Sequence, residues 1–199
     1  MIKDSQGFDI YLASRSPRRQ ELLLQIGVDF RLIDIEIPEV PDENESAESF
    51  VQRMAIKKAE AGLKQLKKND VHSVLGADTA VVIDDEILGK PAGRDDAIRV
   101  LRRLSNREHQ VFSAVALVNA ENHAVRLNRS RVSFRAITDE EILAYWASGE
   151  CEDKAGAYAI QGRAAVFINH LNGSYSGVMG LPLYETSELL QLFHIFPVE

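Results

Sequence analysis

The first periodic stretch is a short apolar run, Ile10-Tyr11-Leu12-Ala13, which reads as a strand. After a polar break, Gln20-Glu21-Leu22-Leu23-Leu24-Gln25-Ile26 reads as a helix closed by Gly27. Ser14-Arg15-Ser16-Pro17-Arg18-Arg19 joins the two, with Ser16 the expected N-cap and Pro17 the first helical residue. Asp29 to Ile35 alternates as a strand, and the acidic segment from Glu36 to Glu45, broken by Pro38 and Pro41, is a loop. Ser46 caps a long helix reaching about Lys68. The apolar run from Ser73 to Ile83 predicts a central strand, turned by Asp84-Asp85 into a hairpin that Gly89-Lys90-Pro91 ends. Asp95 or Asp96 opens a helix with Ala97, Ile98, Leu101 and Leu104 on one side and Arg99, Arg102 and Arg103 on its solvated side. Gln110 to Val118 and Val125 to Ile137 predict an antiparallel pair about a turn from Asn119 to His123. Thr138-Asp139-Glu140-Glu141 is a capping box before a helix that Gly149 stops. Val166 to Leu171 reads as a strand, Asn172-Gly173 as a hairpin signal into Ser174 to Met179, and Pro182 as the start of a last helix ending near Phe193.

Some polar residues break this pattern and carry the candidate chemistry. Arg18 and Arg19 fall in a first helical turn, where the macrodipole disfavours cations. An anion on the helix start would reverse that sign, since backbone N–H groups, two guanidinium forks and the hydroxyls of Ser14 and Ser16 could face it. The segment is either a polyphosphate cradle or a solvated turn with its arginines pointing away. At about 100° per residue, Lys58 falls in the middle of its helix's apolar arc, so it either snorkels past Ala55 and Gly62 or meets an anion. Asp78 interrupts the most apolar strand, and a carboxylate there must be hydrogen-bonded, paired or metal-bound. It is the leading catalytic candidate, the alternative being a structural aspartate satisfied by backbone N–H groups. Glu39, between two prolines, is either part of a solvated acidic loop or a fixed ligand for metal or water. Asp153 to Gly162 combines small residues with isolated polar groups, a second candidate ligand wall.

Composition narrows the classes. A net charge of −7 over 199 residues argues against a nucleic-acid polymer as partner, so clustered arginines suggest a small anionic ligand. The single cysteine, Cys151, excludes an intrachain disulfide and favours a reducing cytoplasm. Residues 1–7 lack a signal peptide's apolar core, and no run approaches a bilayer's width, so a soluble protein away from the membrane is expected. The five histidines show no metal-ligand spacing, and there is no internal repeat, P-loop or dinucleotide glycine fingerprint.

Taken together, the segments resemble the Maf family of nucleoside triphosphate pyrophosphatases over nearly the whole chain. The resemblance rests on stretches that stand in family order. The first three are Ser14 to Arg19, Arg53-Met54-Ala55 with Lys58-Ala59, and Gly76-Ala77-Asp78-Thr79. Gly89-Lys90-Pro91, Asp153 to Gly162, and Asn172 to Tyr175 with Gly180-Leu181-Pro182-Leu183 complete the set. It implies an α/β fold, residues 1–199 forming one Maf-like domain with two lobes about a central cleft. The sheet would be elongated, twisted and mixed, with flanking helices, as in inosine triphosphate pyrophosphatases. It also implies cleavage between the α and β phosphates with a divalent metal, Mg²⁺ or Mn²⁺, and a homodimer. Carried over by position, Asp78 would accept the proton, and Glu39, Lys58 and Lys90 would line the phosphate and metal site, with Asp78 and Glu39 as metal ligands. Ser14, Arg18 and Arg19 would hold the triphosphate. Arg18, Thr79 and Gln161 look like the specificity set of the branch that acts on dTTP and UTP in nucleotide-pool housekeeping. The Gln161 amide can both donate to and accept from the acceptor–donor–acceptor edge of uracil or thymine. A nucleotide-sensing regulator of septum formation and cell division is the alternative, and the catalytic set Asp78, Lys58 and Lys90 favours the enzyme.

Overall fold

A computed structural model describes residues 7–195; residues 1–6, part of the segment read above for a leader, lie outside them. The described chain is a mixed α/β structure built on one open seven-stranded sheet. The chain begins with β1 (Ile10–Leu12), α1 (Pro17–Gln25), β2 (Phe30–Leu32), α2 (Ala47–Leu63) and β3 (Ser73–Ile83). Next come β4 (Glu86–Leu88), α3 (Arg94–Leu104), β5 (Glu108–Val118) and β6 (His123–Phe134). It ends with α4 (Asp139–Ala147), β7 (Ile168–Asn172), α5 (Tyr175–Met179) and α6 (Leu183–Leu192). The strand order is β2-β1-β3-β5-β6-β7, with β4 paired to β3.

Strands β2, β1 and β3 are parallel, with Ile10 opposite Phe30 on one side and Ser73 on the other. From β1 the chain moves to β2 through α1, then returns through α2 to the far side of β1. The β1/β3 boundary is therefore a topological switch point, and the carboxyl ends of such strands open a crevice because their connections leave in opposite directions. Both Ser14, just past β1, and Asp78, three residues beyond the Leu12–Leu75 pair, lie at that end.

The chain clusters into two compact units. The first comprises the chain up to Asp78, Ser113–Asn128 and the chain from Gly180; the second comprises Thr79–Phe112 and Arg129–Met179. In the first, α2 packs its small face on β1 and β3. A Cβ on Gly76 would lie 2.6 Å from the Ala59 nitrogen, and one on Gly62 would lie 2.8 Å from Val74 Cγ1. Only glycine permits so close a helix–strand approach. The second unit is centred on Ile98, Leu101, Leu104, Val132, Phe134, Ile142, Tyr158 and Phe167.

Most expected elements form, with differences at several ends: α3 opens at Arg94 after Gly93 rather than at Asp95 or Asp96, and β7 starts at Ile168 rather than Val166 because Arg163–Phe167 forms a short 3-10 helix. The helix from Ser46 ends at Leu63, short of Lys68. Strand β2 covers only Phe30–Leu32 of the alternating stretch; Ile33 is buried and still donates to the Leu12 carbonyl, and the proline-broken loop follows shortly after. Strand β6 starts at His123 and stops at Phe134, short of Ile137. The segment after Asn172-Gly173 is not a returning strand. The Ser130 hydroxyl accepts the Ser174 N–H at 2.9 Å and the Ser174 hydroxyl accepts the Gly177 N–H at 2.9 Å, which starts the short helix α5 instead. The capping box at Thr138 and Glu141 forms in full.

Candidate active site

In the first unit, the site grows from the loop after β1. Ser16 is the N-cap of α1 by position, but its side chain makes no capping bond. The Ser14 hydroxyl instead accepts the Ser16 N–H at 3.2 Å and the Arg19 Nη1–H at 3.1 Å. Arg19 also donates from Nε to the Gly180 carbonyl at 2.8 Å, tying the chain's last segment to this loop. Burial lowers the Arg19 guanidinium pKa, while Asp78 and Glu39 raise it. Arg18 is half-buried on the same turn. Arg15 turns away and pairs with Asp34 at the surface, with Nη2 2.6 Å from Oδ2.

Lys58, which the helical wheel placed in the apolar arc, meets carboxylates rather than snorkelling to solvent. Lys58 is 5% exposed on α2, and its ammonium lies 2.7 Å from Asp78 Oδ1 and 2.8 Å from Glu39 Oε1. The α2 backbone at Ala55 and Ala59, on either side of Lys58 in sequence, lies directly on β3 at Gly76, two residues before Asp78. Burial pushes the Asp78 carboxyl above its usual range, against the pull of Lys58 and then Arg19. Glu39 is 47% exposed, so its pairing with Lys58 is solvent-screened where that of Asp78 is not.

The loop bearing Glu39 is held from behind by Arg53, to which the sequence reading gave no role. Arg53 pairs with Glu45 through both Nε and Nη2, and Nη2 also donates to the Val40 carbonyl at 3.1 Å. The Arg53 contact holds the Glu45 carboxyl down to about 2. The usable signal was an arginine on the first turns of a helix, eight residues after an acid in a proline-stiffened loop.

The other expected site residues belong to the second unit. Thr79, next after Asp78 on β3, is half-buried. Lys90 is exposed in the loop after β4, which is anchored where the Gly89 carbonyl accepts the Gly156 N–H at 3.2 Å. Gly156 has a φ of +69°, and a Cβ there would strike Val81 at 2.9 Å, so the small-residue segment lies directly on β3. Gln161 is exposed at a turn between buried Ile160 and Ala164.

Residues 9–193 match the profile of the family described as Maf-like protein. The chain belongs to the Maf family. Among curated relatives, Alkalilimnicola ehrlichii dTTP/UTP pyrophosphatase is 53% identical over 189 residues, covering 94% of this chain and 93% of that one. The dTTP/UTP pyrophosphatase of Xanthomonas axonopodis pv. citri is 54% identical, covering 92% and 98%. That of Aromatoleum aromaticum is 49% identical, covering 92% and 95%. Among solved structures, the Staphylococcus aureus Ham1 protein overlays this Maf chain with a TM-score of 0.49 at 14% identity, covering 94% and 97%, too slight a likeness to carry weight.

No group of three or more His, Cys, Asp or Glu side chains converges as a metal cage among the described residues. The donors that do converge are the carboxylates of Asp78 and Glu39 on one ammonium. Two carboxylates, with substrate phosphates supplying further oxygens, suit Mg²⁺, which binds this way and keeps several waters.

Proposed function

We propose that this protein is a nucleoside triphosphate pyrophosphatase that hydrolyses dTTP and UTP to the monophosphate and pyrophosphate. The reading is supported by near-full-length relatives of about 50% identity that carry that activity in their names. In the structure, the observation that carries it is the buried Lys58–Asp78 pair beside the Ser14–Arg19 loop.

A divalent ion bound by Asp78 and Glu39 would supply Lewis acidity toward the phosphate oxygens. Asp78 orients the attacking water and takes its proton. Its raised pKa makes it a stronger base than an ordinary carboxylate, and Lys58 keeps it ionised. Ser14, Arg18 and Arg19 hold the triphosphate and, with Lys58 and Lys90, offset the charge that develops on departing pyrophosphate. Because Arg19 is already fixed by Ser14 and Gly180, its guanidinium needs no reorganisation as that charge appears. Gln161 reads the pyrimidine edge, with Arg18 and Thr79 completing the specificity set. The same reading has one Maf-like domain of two lobes, a homodimer and a cytoplasmic nucleotide-pool role; no helix among the described residues is long and apolar enough to cross a membrane.

The test is product analysis with Mg²⁺ or Mn²⁺ and each of dTTP, UTP, CTP and 7-methyl-GTP. Monophosphate and pyrophosphate, from dTTP and UTP first, are expected. No cleavage by folded protein would turn attention to the sensor of septum formation.

A further inference from the structure

The turn that carries Gln161 is braced from beneath by two residues outside every motif named above. The Gly162 N–H donates to the Ala159 carbonyl at 3.1 Å, closing a turn with Gln161 near its tip. Two residues before Gln161, the Ala159 N–H donates to the Tyr145 hydroxyl at 3.2 Å. Two residues after it, the Arg163 N–H donates to Glu150 Oε2 at 3.0 Å. Tyr145 closes the circuit by donating its own proton to Glu150 Oε1 at 2.9 Å. A single carboxylate thus holds one side of the turn directly and the other through a buried phenol.

Gly162 confirms how closely the carboxylate is seated. Its φ is −108°, which any residue adopts, so backbone conformation does not call for glycine there. Space does: a Cβ at this position would collide with the Glu150 carboxylate. Tyr145 is 4% exposed and Ala159 5%, Glu150 is half-buried and Gln161 is exposed, so the phenol end of the brace is buried and the residue it carries is presented outward. An exposed glutamine has several free rotations. An unbraced turn would let its amide miss the base edge by an ångström or more, which is enough to forfeit discrimination.

We propose that Glu150 and Tyr145 are positioning residues for base selection, fixing the turn from which Gln161 reads the pyrimidine. The proposal rests on the reading of Gln161 as a specificity residue. Both side chains are spent on the turn's backbone and on each other, so the brace acts on which base is accepted and leaves the hydrolytic step alone.

The test compares kcat and KM for UTP and CTP in the wild type, Gln161→Ala, Glu150→Ala, Tyr145→Phe and the Glu150→Ala/Gln161→Ala double variant. Glu150→Ala is expected to raise KM for UTP and compress the UTP-over-CTP preference by about tenfold, with kcat nearly unchanged. Tyr145→Phe, which keeps the ring and removes only the hydroxyl, should shift the preference the same way by less. In the double variant the preference should equal that of Gln161→Ala alone. If Glu150→Ala does not fold, Tyr145→Phe carries the test. A uniform loss of kcat/KM for both nucleotides in the brace variants, beside a compressed preference in Gln161→Ala, would overturn the brace and leave the Gln161 reading standing. An unchanged preference in Gln161→Ala itself would overturn both.

Discussion

Replacing Lys58 with methionine removes the charge at the centre of the candidate site while filling nearly the same volume. Two contacts are lost, and they are unequal. Glu39 is 47% exposed, so losing its pairing costs under about 1 kcal/mol. Asp78 is 5% exposed, and a buried carboxylate stripped of its partner costs about 3–5 kcal/mol. The carboxyl can escape by taking up a proton, which at pH 7 costs about 4 kcal/mol from a normal pKa near 4. Either route predicts a loss of about 4 kcal/mol at pH 7, or on the order of 10 °C in Tm for a chain of this size. The pH dependence separates the two. Asp78 is already raised above its unfolded value, and losing Lys58 raises it further. A group of that kind gives stability that is fully present below its unfolded pKa and lost as pH rises through the folded one. If the carboxyl is protonated, the deficit of Lys58→Met should therefore shrink to about 1.5 kcal/mol near pH 5. Urea denaturation at the two pH values checks this, alongside the acid limb of kcat/KM, which should move to higher pH. An equal deficit at both pH values would show that the carboxylate stays ionised without Lys58, and no deficit at either, with an unmoved acid limb, would refute the electrostatic account of the pair.

Asp78→Asn should bind nucleotide yet lose turnover by orders of magnitude; near wild-type rates would remove Asp78 from its role as base. Gly76→Ala should destabilise by about 3 kcal/mol or more, since the added methyl meets the α2 backbone, which cannot swing aside as a side chain can; an unchanged melting temperature would contradict the packing described. His109 is buried, and desolvation pulls its pKa down to about 4. A folded pKa below the unfolded one makes stability fall as pH drops from about 6.5. The loss should reach on the order of 3 kcal/mol by pH 4, and His109→Phe should flatten that slope in denaturation curves.

The sequence disclosed residues whose polarity contradicts their local period. Lys58 and Asp78 were legible because each is a charge at a position that helix or strand geometry sends into the core, and the structure places them 2.7 Å apart. The Ser14–Arg19 loop was legible because two cations on a helix start need an explanation. Its finer wiring was not: Arg19 reaches the Gly180 carbonyl, a partner 161 residues distant, and Arg15, equally basic, turns out to Asp34. The error at Ser174 has a similar cause. Asn-Gly is a local hairpin signal, but the Ser130 hydroxyl, a tertiary contact, anchors the backbone just where the return strand would begin. Glu150 was invisible for the opposite reason, since an acid after a helix breaks no pattern and its importance lies wholly in what folds against it.

In the proposed reaction, water directed by Asp78 attacks the α phosphorus of a pyrimidine triphosphate. Hydrolysis of UTP in H₂¹⁸O, with mass spectrometry of both products after a single turnover, tests it most directly. One ¹⁸O is expected in the monophosphate and none in pyrophosphate. Label in pyrophosphate, or release of labelled orthophosphate, would place the attack at another phosphorus and contradict it.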